Sequence, residues 1–123
     1  MSHFTKLAKA NIVDANAFIA AAKELGFSEI KRDAELRGYM GNTQKADVVA
    51  SLTGCRYDVG IVKNGSRFDL VADWWGVRGS LSNAENRFVQ MTTKHTIIAT
   101  YARQGFMARV ANKGGNVVVT LSR

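Results

Sequence analysis

The chain has 123 residues, 46% hydrophobic and 22% charged, which is the size and composition of one globular domain and excludes disorder as its main state. No apolar run approaches the roughly 18 residues a membrane span needs, the opening MSHFTKLAKAN carries no long apolar stretch of a secretory signal, and a lone Cys55 excludes an internal disulfide and a thiol zinc cluster. The formal charge is +7, a value that points to a polyanionic partner or to a merely basic, soluble surface.

Residues 2–10 read as a first strand. Asp14 then offers an N-cap, with Val13 and Phe18 spaced as a hydrophobic staple. Ala15–Leu25 places Phe18, Ala21, Ala22 and Leu25 on one helical face, and Gly26 follows where a left-handed C-cap favours glycine. Residues 28–39 read as one or two irregular strands, and Ala46–Leu52 as another. Tyr57–Lys63 and Ser66–Trp74 flank Asn64-Gly65, a favoured pair for a two-residue hairpin loop. Pairing Lys63 with Ser66 sets Ile61 opposite Phe68, Val59 opposite Leu70 and Tyr57 opposite Ala72 on one face. Asp58, Gly60, Arg67, Asp69 and Val71 take the other.

Ser82 and Glu85 have capping-box spacing at the head of a second helix, Asn83 to about Gln104, closed by Gly105. Ala84, Phe88, Met91, His95, Ile98, Ala99 and Ala102 share one face of it. In a final hairpin Phe106, Ala108 and Val110 alternate inward, as do Val117, Val119 and Leu121, across the turn Lys113-Gly114-Gly115-Asn116. The order β-α-β-β-β-β-α-β-β, without proline, repeat or linker, predicts a single α+β domain over 1–123: an antiparallel-rich sheet with two helices packed on it.

Catalytic signals are weak. His3 and His95 have no third ligand type at metal spacing, so neither metal nor cofactor is expected. His95, inside an apolar stripe, is either a hydrogen-bonded core histidine or a site residue. A small-molecule enzyme would need Arg37, Tyr39 and His95 to meet in a cleft. Asp58 and Asp69 read as diagonal neighbours in a surface charge cluster with Arg67, and Cys55 has no identified activating base. The chain is therefore read as a binding protein rather than an enzyme.

Residues 86–123 hold six basic residues and no acid, whereas residues 14–85 hold nine basic and ten acidic. Arg87, Lys94 and Tyr101 recur every seven residues as an outward ridge on the second helix. Arg103 flanks it, and Arg109 and Lys113 carry the charge into the last hairpin. Such a ridge suits a nucleic-acid backbone, RNA or a single strand, with Tyr101 or Trp75 stacking on bases. Of the adjacent Trp74 and Trp75, one is expected in the core and the other exposed, as a base-stacking residue or a protein anchor.

An ordered set of short motifs runs nearly end to end. It comprises Met1-Ser2-His3-Phe4, Arg37-Gly38-Tyr39, Gly41, Thr43, Lys45-Ala46, Val48-Val49, Tyr57-Asp58, Gly60, Asn64-Gly65, Leu70-Val71-Ala72-Asp73, His95-Thr96-Ile97 and Gln104-Gly105-Phe106. The chain thereby resembles the hypothetical plastid reading-frame family numbered thirty-five, a domain of unknown function found in cyanobacteria, plastids and cyanophages. It departs from that family at Trp74-Trp75-Gly76 and in a tail that ends soon after Leu121. The resemblance implies no activity and no catalytic residues. Relatives encoded near an AAA-type ATPase imply an adaptor for such a protein partner, which, with a homo-oligomeric accessory protein, is the alternative to nucleic acid. The implied location is the cytoplasm, a plastid stroma, or the host cytoplasm of a phage.

Overall fold

In the computed structural model, which describes residues 4–114 and 116–122, the chain forms β1 (Thr5–Ile12), α1 (Ala15–Glu24), β2 (Glu29–Arg37), β3 (Thr43–Ser51), β4 (Val59–Asn64), β5 (Arg67–Ala72), α2 (Trp74–Val77), α3 (Ala84–Ala102), β6 (Met107–Lys113) and β7 (Asn116–Ser122). The first five strands make one antiparallel sheet in the order β1-β5-β4-β3-β2, and among the described residues β6 pairs only with β7. This is the α+β class expected, with two corrections. The last hairpin is a sheet of its own, packed on α3. A third, one-turn helix, α2, stands where the strand reading ran on through Trp74. His3, Gly115 and Arg123 lie outside the described residues, as do the side chains of Ala108, Lys113 and Val117.

Local chemistry explains the ends of the helices. Asp14 accepts a 2.9 Å hydrogen bond from the Asn16 N–H and caps α1. At its other end Gly26 takes φ +96°. The Phe27 N–H then donates to Ala22 and the Gly26 N–H to Lys23, the paired bonds of a Schellman cap. Gly105 repeats the motif after α3: Phe106 donates to Tyr101 and Gly105 to Ala102. The staple does not form, because Val13 is 56% exposed. The start of α3 also differs from the expected one: the residue preceding it is Asn83, in the left-handed region and without a side-chain cap, and Glu85 pairs with Arg78.

The Asn64-Gly65 hairpin is present with its register moved by two residues. Asn64 pairs with Arg67, Ile61 with Leu70 and Val59 with Ala72, so Gly65 and Ser66 form the loop. Only Gly65 of these two has positive φ, which is the requirement of a type II′ loop with glycine first. Asn64 spends its side chain on Asp69, 3.1 Å away. A shift of two preserves which face each residue takes, so Val59, Ile61, Leu70 and Ala72 still point together into the main core with Phe18, Phe27, Trp74 and Phe88.

α3 covers that core with Ala84, Phe88 and Thr92. Met91, His95, Ile98 and Ala99 of the expected stripe are only half-buried, and Ala102 is exposed. Thr92 is fully buried and, among the described residues, its hydroxyl has no partner. A buried unsatisfied hydroxyl costs free energy that an isosteric methyl does not. Thr92→Val is therefore expected to stabilise the domain by about 1 kcal/mol, read as a rise in the urea midpoint at unchanged m-value.

The other face of the sheet is covered by the chain itself. β3 pairs with β4 only through Val48–Ala50, while its pairing with β2 continues to Thr43. The outer half of the β2–β3 hairpin thus leaves the sheet. Asp33, with φ +48°, marks the bend. Leu36 and Ala46 of that outer half then close over Gly60 and form a second apolar cluster with Val49, Phe4 and Val62.

Candidate interaction site

The folded-back hairpin is pinned at its tip by two aspartates. With the observed register Asp58 and Asp73 each lie one step beyond the terminal Val59–Ala72 pair, so the aspartate at Asp58's end of the hairpin is Asp73 and not Asp69. Arg37 takes Asp58: its backbone N–H and Nε donate to Oδ2 at 2.9 and 3.0 Å, and Nη2 donates to Oδ1 at 2.9 Å. Ser51 donates to the same Oδ1 at 2.8 Å. Asp58 is buried and saturated, and it holds the Arg37 guanidinium above its ordinary pKa by that hydrogen bonding. Two residues on, the Tyr39 N–H donates to Asp73 Oδ2 at 3.1 Å. A single 3₁₀ turn, Tyr39–Gly41, forms the tip, with Met40 in the left-handed region at φ +53°.

This anchorage brings Tyr39 against Trp75, the exposed tryptophan of α2, edge to face at 6.1 Å. Trp75 is 61% exposed and Met40 83%, while Trp74 turns into the core and stacks edgewise on Phe88. The expected division of the two tryptophans is present, produced by a helical turn rather than by strand alternation. Beneath them the Tyr57 ring lies on Gly76, whose absent Cβ would stand 2.2 Å from it. Burial pushes the Tyr57 hydroxyl above its usual range, and the Asp73 charge adds to the effect. Cys55 is buried and donates its thiol to the Tyr57 carbonyl.

Residues 21–121 match the family described as "Protein of unknown function (DUF1257)". The chain belongs to this family. Over 127 aligned residues, covering 100% of this chain and 98% of the relative, it is 27% identical to the uncharacterized protein ycf35 of Guillardia theta. The resemblance drawn from the motifs is thereby confirmed. No solved structure matches the chain. The span that matches the DUF1257 family contains Arg37, Tyr39, Asp58, Asp73 and Trp75, the whole of the hairpin-tip site.

The other sequence-derived candidates lie elsewhere. His95 sits on α3 with Nε2 3.2 Å from Glu24 Oε1, so it is bonded to α1 while Arg37 and Tyr39 bond Asp58 and Asp73; the three do not form a cleft. Lys94 is turned inward, its side chain 12% exposed and its Nζ 2.6 Å from Glu24. Arg103 reaches back to Asp14 at 2.9 Å. Tyr101 packs edgewise on Phe106 at 5.6 Å, the apolar contact that accompanies a Schellman cap. Arg87 and Arg109 are exposed. The outward ridge is thus broken, because α1 lies alongside α3 and supplies acids that no heptad count along α3 reveals. A cleft of about 190 Å³ on the second face is lined by Glu29, Lys31, Glu35 and the saturated Arg37–Asp58 pair. Among the described residues no group of three His, Cys, Asp or Glu side chains is placed to hold a metal ion, and no helix is long and apolar enough to cross a membrane.

The Glu24 cluster has a pH signature. The Lys94 hydrogen bond, helped by His95, holds the Glu24 carboxyl below its ordinary value of 4.5. A depressed carboxylate contributes stability above its unfolded value and loses it as pH falls through the folded one. Glu24→Gln is expected to cost about 0.5–1 kcal/mol at neutral pH, with the difference from the parent shrinking as pH drops below 4.5. Urea unfolding at a series of pH values measures it.

Proposed function

We propose that this chain is a non-catalytic binding protein that docks a protein partner through Trp75, Tyr39 and Met40. The observation that carries the reading is a solvent-facing indole braced by a tyrosine whose own backbone is tied to a buried aspartate. Rigid aromatic side chains and methionine are enriched at interfaces, and a preorganised anchor loses little entropy on docking. The AAA-type ATPase class implied by the family resemblance is the partner to try first, in cytoplasm or plastid stroma.

Nucleic-acid binding is the second reading, favoured by the +7 charge and by the exposure of Arg87 and Arg109. The pairing of Lys94 and Arg103 with acids of the same chain weakens it. The two readings separate in one experiment. Tagged parent, Trp75→Ala and the double variant Arg87→Glu/Arg109→Glu are tested for capture of the purified ATPase and for anisotropy with labelled single-stranded RNA and DNA, at about 50 and 200 mM salt. Protein docking predicts capture that Trp75→Ala weakens at least tenfold, that the charge reversals spare, and that changes little with salt. Micromolar RNA or DNA binding that collapses at the higher salt and in the charge-reversed variant would replace it with the second reading.

A further inference from the structure

Among the described residues four strands, β1, β2, β6 and β7, stand at a sheet edge. An open edge offers unpaired backbone N–H and C=O groups to another strand, and charged side chains or a break in register keep such pairing off. β1 carries Lys6 and Lys9, and its register breaks between Leu7 and Ile12. β2 carries Lys31, Arg32, Asp33 and Glu35 and bends at Asp33. β6 carries Arg109 and Lys113. β7, with the sequence NVVVTLS, has no charge, no proline and an unbroken register against β6. Its other side pairs with nothing among the described residues. α3 lies against the hairpin, yet Val118 is 38% exposed and Thr120 and Ser122 are exposed as well. A two-stranded hairpin is marginal by itself, and further strands stabilise it.

We propose that β7 pairs with β7 of a second copy of this chain, antiparallel about a two-fold axis at the strand midpoint, Val119. Two hairpins then become one four-stranded sheet. The register sets Val118 against Thr120 of the second copy, Val117 against Leu121 and Asn116 against Ser122. β-Branched residues dominate these pairs, and no charge faces a like charge. Charge also selects β7 over β6. Pairing through β7 leaves the two β6 strands three strand spacings apart, roughly 14 Å. That exceeds the Debye length of about 8 Å at physiological ionic strength, so Arg109 and Lys113 of two chains of charge +7 are screened from each other. Pairing through β6 would put those residues on adjacent strands about 5 Å apart. The two-fold consumes both β7 edges and leaves only charged ones, so assembly closes at two. The contact uses none of Trp75, Tyr39 and Met40 and does not rest on the docking reading.

Sedimentation of the full chain from about 1 to 500 μM reads the association. The expected result is a monomer–dimer equilibrium that stops at two and strengthens as salt rises from about 50 to 500 mM. The double variant Val118→Lys/Thr120→Lys alters two exposed positions that face each other across the axis. It is expected to keep the circular dichroism of the parent and to weaken the dimer at least tenfold, whereas Trp75→Ala leaves the dimer unchanged. Hydrogen exchange on the parent supplies a readout that does not depend on the variant folding. Alternate β7 amides point to the open edge, and their exchange should slow as concentration rises while that of the β2 amides does not. A chain that stays monomeric, a folded double variant that dimerises like the parent, or β7 exchange that ignores concentration overturns the proposal. Loss of the dimer in Trp75→Ala would move the contact to the aromatic patch and refute it. Growth past two would refute the closed two-fold.

Discussion

Phe88→Ala is expected to destabilise the domain by about 3–5 kcal/mol, the largest loss of any single truncation in the main core. Phe88 is fully buried and its ring meets three others: Phe27 edgewise at 5.2 Å, Trp74 edgewise at 6.0 Å, and Phe18 at 6.2 Å. These partners come from α1, the segment after it, and α2, so one side chain on α3 ties the helical layer together above the sheet. Truncation removes the transfer term and leaves a cavity that aromatic neighbours on separate elements cannot collapse into. Such a loss is a large part of the roughly 5–15 kcal/mol that holds a domain of this kind folded. Urea unfolding monitored by fluorescence measures it, with the core residue Trp74 as reporter. Phe88→Leu, which keeps most of the volume, is expected to lose less than half as much. Equal losses for the two variants would mean that ring geometry, not filled volume, is what the site requires.

Gly60→Ala is expected to cost about 3 kcal/mol, the upper end of ordinary overpacking. Strand preference alone would favour alanine over glycine by about 0.5–1 kcal/mol, so sterics decide the sign. A Cβ at Gly60 would stand 2.6 Å from Leu36 Cδ1 and 2.7 Å from the Val48 carbonyl oxygen. The first is a terminal side-chain methyl of the folded-back hairpin and gives way by repacking in the second apolar cluster. The second belongs to the neighbouring strand and cannot move without breaking the sheet. The effect should reach the interaction site, because the same hairpin carries Arg37 to Asp58 and Tyr39 to Asp73. Gly60→Ala is therefore expected to shift the Trp75 indole resonance as well as the unfolding midpoint. A Leu36→Ala/Gly60→Ala pair should lose less than the sum of the singles, since the smaller side chain relieves one of the two clashes. Strict additivity would show that Leu36 is not what the new methyl meets.

About half of the site was legible in the sequence. The adjacent tryptophans announced one buried and one exposed ring, and Arg37 and Tyr39 were singled out, though beside His95 rather than beside Asp58 and Asp73. The aspartates were misjudged as a surface charge cluster because the expected register, two residues off, set Val71 opposite Asp58 and left Asp69 as its diagonal neighbour, whereas the observed register brings Asp73 to that end of the hairpin. One signal was present all along. Gly60 is a gap in a face otherwise carrying Asp58, Asp69 and Val71, and a gap there asks for something to fill it.

Local chemistry determined much of this protein by itself. Asp14, Gly26 and Gly105 set helix ends because capping bonds involve residues a few positions apart, and the alternation around Gly65 assigned each residue to its face because parity survives a shift of two. Tertiary structure decided the rest. The hairpin's return over the second face, the inward turn of Lys94 toward Glu24 and of Arg103 toward Asp14, and the bond from the Tyr39 N–H to Asp73 all join groups far apart along the chain. Such pairings are selected by which surfaces remain to be covered once the sheet has formed. No window along the sequence carries that information.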